Sequence, residues 1–154
     1  MTWTQKEKNF LKDLQSEEKL CAEKYHKAAE AACDGTLKQI LQKIEKAEQG
    51  HCDTVTGMLA GTMPAPQSQG KAQAGRARSA KSLKAKTTRA QKQSDAYLLA
   101  DLLATEKYVA GVYNTAVFEF NDPAARQVLA GIQQAEQNHG RELAEYMQAN
   151  GMSC

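Results

Sequence analysis

A chain of 154 residues, 42% hydrophobic and 25% charged, carries enough apolar mass for one folded domain and should not stay disordered. Only 6% of its residues are aromatic and three are proline, while Ala, Gln, Lys, Glu and Leu dominate, which suits long helices and argues against a sandwich or barrel. No apolar run approaches the roughly 18–20 residues of a membrane helix, and the opening MTWTQKEKNF lacks the apolar stretch of a signal peptide, so an intracellular protein is expected.

The first predicted helix begins at Thr4, which forms a capping box with Glu7. Its apolar face runs through Leu14, Glu18, Cys21, Tyr25, Ala28 and Ala32 at helical spacing. Asp34-Gly35 is a predicted stop, with Gly35 supplying a left-handed C-terminal conformation. A second stripe, Leu37, Leu41, Ile44, Glu48, His51, Val55 and Met58, ends near Gly61 and the Pro64-Ala65-Pro66 breaker. Residues 61–93 are too long for a turn and read as a crossover, partly helical or partly disordered, along a bundle roughly 40 Å tall. Ser94 or Asp95 is then expected to cap a helix carrying Leu98 or Leu99, Leu102, Glu106, Val109, Tyr113, Ala116 and Phe120. Asp122 and Pro123 start the last helix, with Val128, Ile132, Glu136, His139, Leu143 and Tyr146 on one face and a stop at Gly151. Trp3, Phe10, Phe118 and Phe120 read as packing residues, and His26 as simply exposed.

The halves are copies of one another. Residues 13–59 align without gaps on 101–147, with 15 of 47 positions identical, Glu18/Glu106, Tyr25/Tyr113, Glu48/Glu136 and His51/His139 among them. The expected fold is all-α: a single domain, 1–154, in which hairpin 1 (about 4–60) and hairpin 2 (about 94–150) are related by a two-fold axis and joined by a long crossover between helices 2 and 3. Between Asp53 and Asp95 the chain has eight positive charges and no acid, which leaves −6 on the remainder of a +2 chain. With no aromatic interleaved, this segment reads as a solvated linker rather than a nucleic-acid arm. Cys21, Cys33, Cys52 and Cys154 contain no CxxC pair, so free thiols in a reducing compartment are expected.

Six polar residues interrupt the apolar stripes: Glu18, Glu48, His51, Glu106, Glu136 and His139. Antiparallel packing about each turn sets Glu18 level with Glu48 and His51, and Glu106 level with Glu136 and His139. Two-fold packing then gathers all six midway along the bundle. Four buried carboxylates in one place would repel and lose hydration, and two divalent cations remove that cost. A Glu from each of two helices, with Glu-x-x-His from the other two, is the ligand pattern of dinuclear carboxylate bundles. One such motif is weak evidence, because a given His has a Glu three places earlier by chance about 8% of the time in this composition. All three histidines have one, Glu23 before His26 included, but only His51 and His139 lie on the apolar stripes, and only their paired glutamates each have a further Glu 30 residues upstream on the facing helix's stripe. Tyr25 and Tyr113 lie seven residues after a predicted ligand, either as core filler or as outer-shell hydrogen-bond donors or redox-active phenols.

The set Glu18, Glu48-Gln49-Gly50-His51, Glu106 and Glu136-Gln137-Asn138-His139 resembles the di-iron centre of bacterioferritins and rubrerythrins, within the ferritin-like superfamily. The second half, DLLATEKYVAGVYNTAVFEFNDPAARQVLAGIQQAEQNHGRELAEYMQANGM, more closely resembles the coat F family of spore-coat proteins. These resemblances imply a ferritin-like four-helix bundle holding two iron (or manganese) ions per chain. They also imply a spore-coat or cytoplasmic setting, and oxidase or peroxide-reducing activity toward O2 or H2O2. The alternative they imply is a structural spore-coat protein whose metal site does no chemistry. Metal ions and a second copy of the chain are the expected partners; membrane and nucleic acid are not.

Overall fold

The computed structural model describes residues 2–65 and 80–153. Among the described residues the structure is all-helical: α1 (Gln5–Ala31), α2 (Gly35–Leu59), the short α3 (Ala80–Leu83), α4 (Arg89–Glu119) and α5 (Pro123–Ala149). None of these helices is long and apolar enough to cross a membrane.

Each long helix starts where its sequence can satisfy the orphan N–H groups of a first turn. Thr4 and Glu7 form the capping box of α1, Asp34 accepts from Leu37 N–H at the start of α2, and Asp122 accepts from Ala125 N–H before Pro123 opens α5. The fourth start differs from expectation. Neither Ser94 nor Asp95 caps α4, because Thr88 and Gln91 form a second capping box six residues earlier and the helix runs through the supposed linker end. Gly35 also departs from its assignment. It is the first residue of α2 with no positive φ, so the turn is set by Asp34, and the left-handed glycines are Gly61 and Gly151 after α2 and α5. The crossover is helical at α3, and its residues 66–79 lie outside the described residues.

α1 packs along α2 and α4 along α5, while α1 also lies against α4 and α2 against α5. Ion pairs Lys6–Glu119 and Lys24–Asp101 join the start of α1 to the end of α4 and the reverse, so these two helices are antiparallel. The apolar stripes meet in two clusters, each fed by all four long helices. One contains Tyr25, Leu37, Leu41, Leu99, Leu143 and Tyr146; the other contains Leu11, Leu14, Val55, Tyr113, Phe120 and Leu129. Each fully buried leucine contributes roughly 1.5–3 kcal/mol, so the two clusters are what fixes the helix stripes inward. Between the clusters lies the belt of six polar side chains. Trp3 is core as expected, its Nε1 donating to the Met58 carbonyl at 2.6 Å and its ring edge-on to Phe120. Phe10 is partly buried, but Phe118 points to solvent and is not a packing residue within the chain. His26 is exposed and lies 2.8 Å from Glu45 across the first hairpin. Cys21, Cys33 and Cys52 are free thiols.

The two-fold relation extends beyond the aligned stretch. Glu7 and Asp95, 88 residues apart, are both buried acids. Asp95 accepts from Cys33 N–H at 2.8 Å and Asp34 N–H at 3.1 Å, and Glu7 accepts from Asn121 N–H at 3.4 Å. Each hairpin's first helix thus clamps the turn of the other hairpin.

Candidate metal centre

Glu18 on α1 and Glu106 on α4 stand where a helix turn would otherwise give the core a leucine, and Glu48 and Glu136 do the same on α2 and α5. All four carboxylates are buried. His51 and His139, one turn beyond Glu48 and Glu136, are the most open members, with side chains 15% and 10% exposed. The six residues predicted from the repeat are brought together. Glu18, Glu48, His51 and Glu136 offer ligand atoms within 4.8 Å of one another, and so do Glu48, Glu106, Glu136 and His139. Glu48 and Glu136 belong to both groups, so the cluster is two overlapping four-residue sites.

The contacts obey the two-fold. His51 Nδ1 lies 2.8 Å from Glu136 Oε1 and 3.7 Å from Glu18; His139 Nδ1 lies 2.9 Å from Glu48 Oε1 and 3.5 Å from Glu106. The two imidazoles stack with centroids 5.9 Å apart. The tyrosines are hydrogen-bond donors to the cluster rather than plain filler. Tyr25 O–H donates to Glu106 Oε1 and Tyr113 O–H to Glu18 Oε1, each at 2.5 Å, and each reaches the glutamate of the opposite hairpin.

Burial pushes the Glu18 carboxyl up to about 11 and the Glu106 carboxyl up to about 9, with the charges of Glu48 and Glu136 adding to the effect. Burial works the same way on Glu48 and Glu136, but hydrogen bonds from His139 and His51 outweigh it and hold both carboxylates ionised below their ordinary range. Burial alone would lower both histidines. His51 is instead raised by Glu136 and Glu48, and His139 is pushed up to about 12 by Glu106, Glu136 and Glu48. Tyr25 and Tyr113 are raised by burial and by the adjacent carboxylates, so both phenols keep the proton they donate. Cys21 is also buried here, its thiol pushed up by burial and by the surrounding glutamates, and it belongs to neither group of ligand atoms.

The residues present fit a bound cation. Glu18 Oε2, Glu106 Oε2 and Glu136 Oε2 are buried with no N–H or phenolic O–H donor, so without a cation only a proton shared between glutamates serves them, while Glu136 Oε1 faces His51 Nδ1 at 2.8 Å. An unsatisfied buried acceptor costs about 1–3 kcal/mol and more when charged, and a bound cation would serve these carboxylates without a shared proton. Carboxylate oxygen with imidazole nitrogen and no thiolate is a donor set suited to iron or manganese. Asp95 and Glu7 were read from the sequence only as capping residues; their hold on the turns went unrecognised because the repeat fades before residue 13. Extending the 88-residue offset upstream by six positions pairs them.

Fold and site together define an all-helical protein with an internal two-fold and a buried Glu4His2 cluster. Residues 94–153 match the Coat F domain family model, which spans most of α4, all of α5 and three of the six cluster residues. Neither the curated proteins nor the solved structures contain a match to this chain.

Proposed function

We propose that this chain is a spore-coat protein of the Coat F type, built on a ferritin-like four-helix bundle whose centre binds two iron or manganese ions. The observation that carries the metal reading is the pair of overlapping ligand groups, sharing Glu48 and Glu136, in which buried carboxylate oxygens of Glu18, Glu106 and Glu136 have no N–H or phenolic O–H donor. Glu18 and His51 would hold one ion, Glu106 and His139 the other, and Glu48 and Glu136 would bridge them. The Coat F match supports the setting. In this reading the ions do structural work, cross-linking four helices at mid-height where the apolar clusters are interrupted.

The chain's own residues determine what the centre tolerates. Tyr25 and Tyr113 orient the terminal glutamates, and the two apolar clusters exclude water from either end. His51 and His139 are the members of the cluster that reach the surface. Bound iron or manganese would supply Lewis acidity and a redox couple toward O2 or H2O2. A second reading, a catalytic oxidase or peroxide reductase, is favoured by the two phenols 2.5 Å from ligand carboxylates, a placement suited to electron transfer.

Metal analysis of protein purified without chelator tests the first reading: about two ions per chain, with most lost in Glu136→Ala. Protein that holds no metal and takes up neither Fe(II) nor Mn(II) would end it. Co-fractionation with the coat of mature spores tests the setting. Sustained peroxide consumption or Fe(II) oxidation by loaded protein would replace the structural role with the catalytic one.

A further inference from the structure

The two halves share a fold, so their outer faces can be compared position by position. On α4 the large exposed side chains are Tyr97, Tyr108 and Phe118, at 76%, 62% and 74% exposure. At 100° per residue these three lie within one side of the helix, spread along about 32 Å, with the small Ala104 and Gly111 between them. The residues 88 positions earlier on α1 are Asn9, Leu20 and Glu30, with Ser16 and Glu23 opposite Ala104 and Gly111. Only Leu20 is apolar. The fold needs both helices equally, yet only α4 carries an aromatic outer ridge, so folding does not explain it. Among the described residues no element lies over this ridge. Residues 66–79, PQSQGKAQAGRARS, have no large apolar side chain to cover it with.

We propose that α4 is the contact face of a two-fold homodimer, packing antiparallel on the α4 of a second copy with the axis beside Lys107 and Tyr108. The ridge is self-complementary in that register. Tyr97 of one copy meets Phe118 of the other, Ala104 meets Gly111 where the helices come closest, and Lys107 lies over the Tyr108 ring as a cation–π pair. The charges are compatible: Asp101 faces Asn114, and the one like pair, Lys107 with its own mate beside the axis, is exposed and has the Tyr108 rings to lie over. The area agrees too. At about 200 Å² per aromatic side chain, the three exposed rings of two copies bring about 800 Å² to the contact, before the small residues and stems between them are added. That is well over half of the roughly 1,200 Å² at which stable interfaces begin. The inference does not depend on the metal reading.

Sedimentation equilibrium on the full chain tests it. The wild type should form a dimer of twice 16.9 kDa with a dissociation constant in the micromolar range or below. Tyr97→Lys and Phe118→Glu should each weaken the dimer at least tenfold while leaving the circular dichroism unchanged, because both side chains are exposed. Carried together they should restore most of the loss, since antiparallel packing sets each new cation against a new anion of the other copy. A wild type that is monomeric at about 100 µM overturns the proposal. If deleting 66–79 then produces a dimer, that segment is the occupant instead. Single variants that dimerise like wild type, or a double variant weaker than either single, overturn it as well.

Discussion

Loading the metal-free protein with Mn(II) should expel about two protons for each ion bound. Without metal, the centre balances its own charge: Glu48 and Glu136 are ionised, His51 and His139 carry protons, and Glu18 and Glu106 are protonated carboxylic acids. Two negative charges meet two positive ones, for a net of zero. Holding two divalent ions requires four carboxylates and two neutral imidazoles, again a net of zero, so the exchange releases four protons for two ions. At about pH 6 all four protons are in place, because Glu18, Glu106 and His139 are pushed up to about 11, 9 and 12 and His51 is raised above its ordinary value by Glu136 and Glu48. The affinity for each ion should therefore rise about 100-fold per pH unit there, since two protons leave per ion. Calorimetric titrations of Mn(II) in two buffers of different ionisation enthalpy give the proton count directly. A count near zero would mean that the histidines and terminal glutamates already stand deprotonated, and the account of the ion-pair belt would be wrong.

Three other outcomes follow from particular contacts. Tyr113→Phe and Tyr25→Phe each remove the donor that orients one terminal glutamate, and each should weaken metal binding about 10- to 100-fold in a competition assay with little change in helicity. Asp95→Ala leaves two backbone N–H groups of the first hairpin's turn without an acceptor, at about 1–3 kcal/mol each, so its thermal midpoint should fall by about 5–15 °C. A midpoint within 2 °C of wild type would show that the turn does not depend on that carboxylate. Burial pushes the Glu7 carboxyl up, but the Thr4 and Asn121 N–H groups outweigh it and hold it below its ordinary value of 4.5. A depressed carboxyl stabilises the fold fully above its unfolded value and loses that contribution as pH falls through its folded one. The difference in melting temperature between wild type and Glu7→Gln should thus be greatest near neutrality and shrink below about pH 4.5; a gap that widens in acid would contradict the assignment.

The six cluster residues were legible because each breaks an apolar stripe whose period is otherwise clean, and because the repeat prints the break twice. Helix identity was legible for the same reason, and the Thr4, Asp34 and Asp122 caps were visible in their own three-residue neighbourhoods. The start of α4 was not, since Thr88 with Gln91 caps as well as Ser94 with any partner, and only the packed context decides between them. Asp95 looked like a cap from its local sequence and proved to be a long-range acceptor for the turn around Asp34, 61 residues away, which no local pattern encodes. Phe118 misled by composition, because a phenylalanine on a helix is read as core until its angle around that helix is known. The roles of Tyr25 and Tyr113 stayed open in the sequence because spacing places them on the right face but cannot say which hairpin's glutamate their hydroxyls reach.

That each hairpin is furnished by the other has a consequence for partial chains. A fragment spanning 94–153 alone would keep Glu106, Glu136 and His139 but strand the Tyr113 hydroxyl without its acceptor and leave Asn121 N–H without the Glu7 carboxylate. Two such fragments joined about a symmetry axis would regain a tyrosine–glutamate pair in each direction and an acid beneath each bend. The chain thereby carries within one polypeptide the pair of mutually dependent units that separate fragments would have to find in solution, with the basic crossover joining them in sequence.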